Sequence, residues 1–334
     1  MNGGLKVRGI AMKFESIIGQ ERPIRFLTQM LKKKSIPHAI LFTGVDGIGK
    51  QTTARALGMA LNCLRPVGVS ACGECPPCQK VISGAHPDMI TVRPEGTFIK
   101  IDQVRAVSRQ LRFAPLEGNW RVIIINDAQA MNLEASNAIL KILEEPPKRT
   151  IIILTASQTT DLLPTIVSRC QQVAFRPIPY EKVAEMLVEL QGLDRQTATT
   201  LAVSTKGSLG KALSADGRKW TIWRTHLLEQ IASLSMRSIQ PVLIFADTLA
   251  RDKDRLTDAL DMIMTWFRDV LMCKVSPERI INNDFMTKIK DASQGRSVNE
   301  LLEKVDAVYA AQTAISQNSN PRLALEVMMM RLSK

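Results

Sequence analysis

Two glycines and a lysine close to residue 45 have the spacing of a loop that holds nucleotide phosphates. Gly44, Gly49 and Lys50 fit the pattern G-x4-G-K, between an apolar run and a helix-like segment. In such a loop the backbone N–H groups face the phosphate oxygens, and the lysine reaches the outer phosphates. This setting disfavours a chance match. The candidate nucleotide-binding residues of this segment are Gly44, Gly47, Gly49, Lys50 and Thr52.

Four positions bear on whether this loop could support ATP hydrolysis. Gln51 stands where a serine or threonine would bind magnesium, and Thr52 is turned about 100° further around the helix. Asp127 follows the apolar run "VIII" and Asn126, which suits a carboxylate that holds magnesium, although a turn residue at a strand end is the alternative. Ala128 then replaces the glutamate that would orient the attacking water. The sequence leaves ATP or ADP binding open and predicts little or no hydrolysis.

Four of the six cysteines form a cluster with the spacing C-x8-C-x2-C-x2-C, namely Cys63, Cys72, Cys75 and Cys78. Two C-x2-C steps place thiolates on one small turn, and the first cysteine completes a tetrahedron around zinc. Disulfides are the poorer explanation in a reducing cytoplasm. Because all four ligand positions are filled, the pattern predicts structural rather than catalytic zinc. We expect Cys170 and Cys273 to be packed residues without special reactivity.

The segments around these residues alternate between strand-like and helix-like patterns. The apolar runs at 38–44, 121–127 and 150–157 are typical of buried parallel strands. Helical spacing covers 52–63 and 132–145, with Asn132 as the N-cap of the second helix. This alternation predicts a parallel sheet covered by helices on both faces.

The strand pattern ends near 173–179, and no convincing strand follows. Three short helices are predicted at 180–191, 195–205 and 208–215. From 219 to 334 the pattern is helical, with breaks near Ser276-Pro277 and Asn320-Pro321. The C-terminal part of the chain is therefore predicted to be all-α.

Composition limits the class of protein. The 334 residues carry 44 basic and 32 acidic side chains, a net charge of +12, which favours partners that carry phosphate, although a merely basic surface is the alternative. An aromatic content of 4% argues against an extensive base-stacking platform for single strands. The sequence lacks an apolar run that would cross a bilayer and lacks a signal peptide, so we expect a cytoplasmic protein without membrane contact.

Four segments resemble, in this order, the bacterial clamp-loader subunits of the AAA+ class: "SIIGQE" (16–21), "HAILFTGVDGIGK" (38–50), "NAILKILEEPP" (137–147) and "LPTIVSRC" (163–170). The resemblance runs from about residue 14 to 215, and "NPRLALEVMMMRL" (320–332) is similar to the family's last helix. It implies an AAA+ P-loop domain, a small helical lid domain and an all-α collar domain. The predicted divisions are a flexible tail at 1–13, the P-loop domain at 14–177 with a zinc module at 63–78, the lid at 178–217, and the oligomerisation collar at 218–334.

Departures from the family pattern bear on which kind of clamp-loader subunit this chain resembles. The ATP-hydrolysing gamma/tau subunits would carry the magnesium hydroxyl, the acidic pair and a lid arginine, where this chain has Gln51, Ala128 and Gly210. Arg169 of the Ser-Arg-Cys motif is retained. The resemblance implies that Arg169 acts in trans on a neighbouring subunit's ATP site. The alternative is a structural salt bridge at a helix end.

The resemblance also implies partners. We expect a hetero-oligomer with gamma/tau and delta subunits that acts on a sliding clamp and primed DNA. Two other hypotheses stay open at this point. One is an active ATPase subunit of the same assembly, rescued by Asp127 or Thr52. The other is a P-loop kinase for a small metabolite, which the long helical C-terminal region disfavours.

Overall fold

A computed structural model describes residues 13–233, 239–252, 255–317 and 319–333. The predicted tail therefore lies almost wholly outside the described residues. The N-terminal part is built on a parallel five-stranded sheet in the order β2-β3-β4-β1-β5. Its strands are β1 (Ala39–Thr43), β2 (Met89–Val92), β3 (Arg121–Ile125), β4 (Thr150–Ala156) and β5 (Gln171–Ala174).

Helices cover both faces of this sheet, which confirms the predicted α/β fold class. They are α1 (Glu21–Lys32), α2 (Lys50–Asn62), α3 (Pro76–Ser83), α4 (Ile101–Gln110), α5 (Leu133–Glu144) and α6 (Pro164–Val167). Alternate residues of β3 and β4 enter two different cores, as the period of a strand requires. Ile151 and Ile153 pack with α1 and α2, whereas Ile152 and Leu154 pack with α4, α5 and α6.

Local signals account for most helix boundaries. Asn132 caps α5 as predicted, because its side chain accepts a hydrogen bond from the backbone N–H of Ala135. Helix α2 begins at Lys50, two residues earlier than its apolar spacing indicates. Strand β2 was not predicted from the sequence. It is a four-residue edge strand in which only Val92 is buried, so its apolar pattern is weak.

The three short helices expected after the sheet are present as α7 (Tyr180–Gln191), α8 (Arg195–Ser204) and α9 (Leu209–Ser214). The described residues after α9 form the α-helices α10 (Gly217–Ala232), α11 (Ile239–Arg251), α12 (Leu256–Val275), α13 (Met286–Ser293), α14 (Val298–Ser316) and α15 (Pro321–Leu332). The described residues beyond β5 contain no strand, in agreement with the all-α prediction. Within those same residues, no helix has both the length and the apolar character needed to cross a bilayer.

The chain divides into two compact units. One runs up to Val183 and includes Gly207–Ser214, and the other comprises Ala184–Lys206 and the chain from Ala215 onward. Helix α9 therefore belongs with the sheet, whereas α8 belongs with the C-terminal helices. The helical unit has a core of its own around the fully buried Trp266. The three domain divisions expected from the sequence stay a prediction.

Candidate functional site

The phosphate-loop pattern lies where its chemistry requires, between the end of β1 and the start of α2. Gly44, Gly47 and Gly49 have φ angles of 141°, 74° and 104°, which side chains rarely tolerate. The backbone N–H of Gly44 donates to the carbonyls of Ala156 and Ser157 at the end of β4. The glycines of the pattern are thus required by the backbone path.

Lys50, the residue expected to reach phosphates, is turned back onto its own loop. Its buried Nζ donates to the carbonyl of Gly44 and, at 3.1 Å, to that of Val45, and lies 3.5 Å from Oδ1 of Asp46. Burial lowers the pKa of Lys50, and the charge of Asp46 partly opposes this change. An ammonium group has three N–H donors. Acceptors of the loop itself therefore engage all three.

Helix α9 and the residue before it lie directly on this loop. The Ser208 hydroxyl donates to the carbonyl of Asp46 at 2.6 Å, and the Gly210 N–H donates to the carbonyl of Gly47 at 2.8 Å. A Cβ atom at Gly210 would lie 2.7 Å from that carbonyl oxygen, and one at Gly47 would meet Ser208. Position 210, where the resemblance expects a lid arginine, has no room for a side chain in this arrangement.

Of the other candidate nucleotide ligands, Asp127 lies near the charged groups of the loop, whereas Thr52 is exposed on α2. Asp127 lies close enough to Asp46 and Lys50 for the charges of both side chains to act on its pKa. Burial raises the pKa of Asp127, the negative charge of Asp46 raises it further, and Lys50 opposes them. Gln51 and Thr52 are exposed on the first turn of α2. The hydroxyl of the next residue, Thr53, is bonded to the carbonyl of Gly49.

Two polar side chains near this loop were not singled out from the sequence. Asn126 is buried at the carboxyl end of β3, and neither polar atom of its side chain has a hydrogen-bond partner in the part of the chain that the structure describes. Its position directly after an apolar strand was the only available signal. Asp46 was missed because its contact with Ser208 forms only when α9 packs on the loop, although Lys50 lies just four residues away in sequence.

The four clustered cysteines meet at one point. Their Sγ atoms all lie within 4.8 Å of one another, and the closest pairs are separated by 3.3 to 3.9 Å. A tetrahedral zinc site with bonds of about 2.3 Å has sulfur–sulfur edges of about 3.8 Å. The spacing between the sulfurs therefore fits a zinc ion. None of the six cysteines, all of which are described, forms a disulfide.

The backbone around this cluster favours thiolates. The N–H groups of Glu74 and Cys75 donate to Sγ of Cys72, at 3.5 and 3.3 Å, and lower the pKa of Cys72 to about 6. Burial instead raises the pKa of Cys78. A cation would hold the buried thiol in its ionised form. The donor set suits structural zinc, with Met59 and Val81 packed against it.

Arg169 lies at the surface just after α6. Its Nη1 donates to the carbonyl of Thr165 at 3.0 Å, and its Nη2 donates to Oε1 of Glu144 at 2.7 Å. The Arg169 side chain is 36% exposed, and the Glu144 side chain is 50% exposed. The salt bridge at a helix end that was considered from the sequence therefore exists. It leaves part of the guanidinium accessible.

Two family models cover most of the chain. Residues 19–179 match the model described as DNA polymerase III, delta subunit, and residues 219–334 match the model described as DNA polymerase III, delta subunit, C terminal. The DNA polymerase III subunit delta' of Bacillus subtilis (strain 168) is 28% identical over 319 residues, which are 94% of this chain and 96% of that protein. The chain belongs to the delta-prime family of DNA polymerase III clamp-loader subunits. This membership confirms the family resemblance found in the sequence.

Two further relatives, a second delta' subunit and a tau subunit, match this chain at different identity and coverage. The subunit delta' of Pseudomonas aeruginosa is 44% identical over 145 residues, which are 42% of this chain and 44% of that protein. The subunit tau of Bacillus subtilis (strain 168) is 26% identical over 349 residues, which are 96% of this chain but only 61% of tau. Delta-prime and tau are thus related to the chain at similar identity over its length. The chain covers 96% of the Bacillus subtilis delta' subunit but only 61% of tau, which agrees with membership of the delta-prime family.

Proposed function

We propose that this chain is the delta-prime subunit of a DNA polymerase III clamp loader and does not itself hydrolyse ATP. It joins gamma/tau and delta subunits in a hetero-oligomer that loads a sliding clamp onto primed DNA. In that assembly it is a stator, because its own nucleotide site does not drive a conformational cycle. Its catalytic contribution is Arg169, which acts in trans on the ATP site of a neighbouring gamma/tau subunit.

The observation that carries this proposal is the contact between α9 and the phosphate loop. Gly210 and Gly47 approach so closely that position 210 admits no side chain, and Lys50 is held by its own loop. An ATP site needs the opposite arrangement, with an open loop, a free ammonium and a lid arginine that reaches the phosphates. Nucleotide binding would require α9 to leave the loop. In addition, Gln51 stands where a serine or threonine hydroxyl would bind magnesium, and Ala128 stands where a glutamate would orient the attacking water.

Arg169 suits the role in trans because it is a surface residue with unused donors. A guanidinium has five N–H donors, and within the described ranges contacts with Thr165 and Glu144 occupy two of them. The remaining donors can approach phosphate oxygens of a neighbouring subunit. There the positive charge stabilises the charge that develops on the transferring phosphoryl group.

The cysteine cluster supports a structural role for zinc in this subunit. The thiolates of Cys63, Cys72, Cys75 and Cys78 would hold one zinc ion, which links the end of α2 to α3. With four protein ligands, no coordination position remains for water or substrate. We therefore assign zinc no part in the ATPase reaction.

Arg169→Ala tests the role in trans. The measurement is the ATPase rate of a loader reconstituted with the same organism's gamma/tau and delta, in the presence of clamp and primed DNA. We expect the rate to fall by about 10³-fold or more, in the range of arginine fingers. Gel filtration must show that the variant assembles normally.

Arg176→Ala is the matched control, because Arg176 is also an exposed arginine of the same unit. It should leave the rate within twofold of the wild-type value. If Arg169→Ala gave the wild-type rate in a fully assembled loader, the catalytic assignment would be wrong. Hydrolysis by the purified chain alone would contradict the non-hydrolysing assignment.

A further inference from the structure

Glu144 is the side chain that orients the exposed guanidinium of Arg169. Its Oε1 accepts from Nη2 of Arg169 at 2.7 Å, a short charge-assisted hydrogen bond. The carbonyl of Thr165, one helical turn before Arg169, accepts from Nη1 at 3.0 Å. Because these contacts use two different nitrogen atoms, Nη1 and Nη2, together they fix the plane of the guanidinium. Either contact alone would leave the guanidinium free to rotate.

Both anchors belong to elements that the core holds in place. Glu144 is the last residue of α5, just after the buried Ile142 and Leu143. Thr165 lies in α6, whose neighbouring residue Ile166 is fully buried in the same core. The acceptors for Arg169 therefore have little freedom of their own, and they present its unused N–H groups in a defined direction.

Glu144 is an unfavourable residue for the position that it occupies. The C-terminus of a helix carries partial negative charge, so an acidic side chain in the last turn opposes the helix dipole. Helix α5 ends with Glu144, and its C-cap is Glu145. Helix stability alone does not explain a glutamate there. The contact with Arg169 supplies a reason at position 144, whereas Glu145 has no ion pair within 4.0 Å among the described residues.

We propose that Glu144 is a positioning residue for Arg169, which keeps the guanidinium extended toward the neighbouring subunit before the two subunits engage. This inference rests on the proposed function of Arg169 in trans. In this role Glu144 touches no substrate. Glu144 restricts the Arg169 side chain before it contacts the phosphates, so less conformational entropy is lost at that contact. The effect should therefore appear in the rate of the reaction step more than in ATP binding.

The experiment compares Glu144→Ala, Glu144→Gln, Arg169→Ala and the double variant Glu144→Ala/Arg169→Ala in the reconstituted loader with clamp and primed DNA. We expect Glu144→Ala to lower kcat about fivefold, because an exposed ion pair holds its partner only moderately. The KM for ATP should stay unchanged. Glu144→Gln, which keeps an acceptor but loses the charge, should fall between wild type and Glu144→Ala.

The double variant separates positioning from a structural effect. If Glu144 acts only through Arg169, Glu144→Ala should cause no further loss in the Arg169→Ala background. Glu145→Ala is the matched control, since Glu145 is an adjacent exposed glutamate. It should leave kcat within the error of wild type. Gel filtration and circular dichroism of each variant check assembly and folding.

The outcomes separate this inference from the proposed function. An unchanged or increased kcat in Glu144→Ala, with a large fall in Arg169→Ala, would overturn the positioning role alone. An equal loss with and without Arg169 would overturn it too, since Glu144 would then act through the fold. A wild-type rate in Arg169→Ala would instead refute the role in trans, and the positioning role with it.

Discussion

At the scale of single residues, a buried carboxylate organises the loop between α4 and β3. Asp88 is fully buried and accepts hydrogen bonds from the backbone N–H groups of Leu116, Glu117 and Gly118, each at 2.8 Å. Arg121, also buried, lies 3.2 Å from Oδ1 of Asp88 and donates to three carbonyls of the same segment. One ion pair thus satisfies backbone groups that would otherwise be left unpaired in the interior.

Asp88→Asn should destabilise the sheet unit by about 3–5 kcal/mol at pH 7, because it leaves Arg121 buried without its counter-charge. Burial tends to raise the pKa of Asp88, but the three N–H groups and Arg121 outweigh it, so the pKa is lowered on folding. The unfolded chain therefore binds the proton more tightly, and this stabilisation is lost as pH falls below about 4. Urea unfolding of both proteins at pH 7 and at pH 3 measures the difference. The difference should be smaller at pH 3.

Glu95→Gln removes the same charge from an exposed position of the same unit and is the control. It should change the free energy of unfolding by no more than about 0.5 kcal/mol at either pH. A gap between wild type and Asp88→Asn that stays constant from pH 7 to pH 3 would show that Asp88 is not stabilised in its ionised form.

At the scale of elements, the segment between α2 and β2 has a small core built around its four cysteines. Its core contains the cysteines together with Met59, Ala71 and Val81, and it has little other apolar material. Leu64 and Val67 of the connecting loop are 64% and 70% exposed, so they add little to the packing. Such a small cluster does not supply the free energy needed to order a segment of this length without a cross-link.

Removal of zinc should therefore unfold residues 63–83 locally and leave the sheet folded. Zinc binding contributes on the order of 10 kcal/mol in comparable four-ligand sites. We expect one zinc per chain by elemental analysis, and a chelator should abolish protection from hydrogen exchange in α3 but not in β4. Cys78→Ser should behave like the chelated protein. Cys273→Ser, outside the cluster, should keep one zinc per chain, and full protection of α3 without metal would contradict the prediction.

The elements also show which features the sequence could reveal. The N-cap Asn132 and the three inner strands were predictable because their signals are local: a side chain three residues from its donor, or a run of apolar residues. The contact between Ser208 and Asp46 joins residues 162 positions apart, and that between Arg169 and Glu144 joins residues 25 apart. Such pairs arise only when the fold brings two elements together. Composition and spacing therefore located the candidate sites but did not reveal that α9 closes the phosphate loop.

At the scale of the whole molecule, two units have separate cores. The sheet unit packs its side chains on both faces of the parallel strands, whereas the helical unit packs α10 to α15 around Trp266. In the helical unit, Arg224 of α10 is 2% exposed and bonds to both carboxylate oxygens of Asp284, at 2.6 and 2.9 Å. It also donates to Asn282 and lies 5.2 Å from the centre of the Phe285 ring. This group ties α10 to the segment between α12 and α13.

Arg224→Ala should therefore destabilise the helical unit by about 3–5 kcal/mol and leave the sheet unit unchanged, since it breaks a buried ion pair in one core only. Hydrogen exchange followed by mass spectrometry resolves the two units: protection should fall in α12 and α14 and persist in β4. Lys219→Ala, at a 79% exposed position of the same helix, should alter neither. An equal loss of protection in β4 would mean that the two cores unfold as one cooperative unit. In that case the sheet unit would depend on the helical unit for its stability.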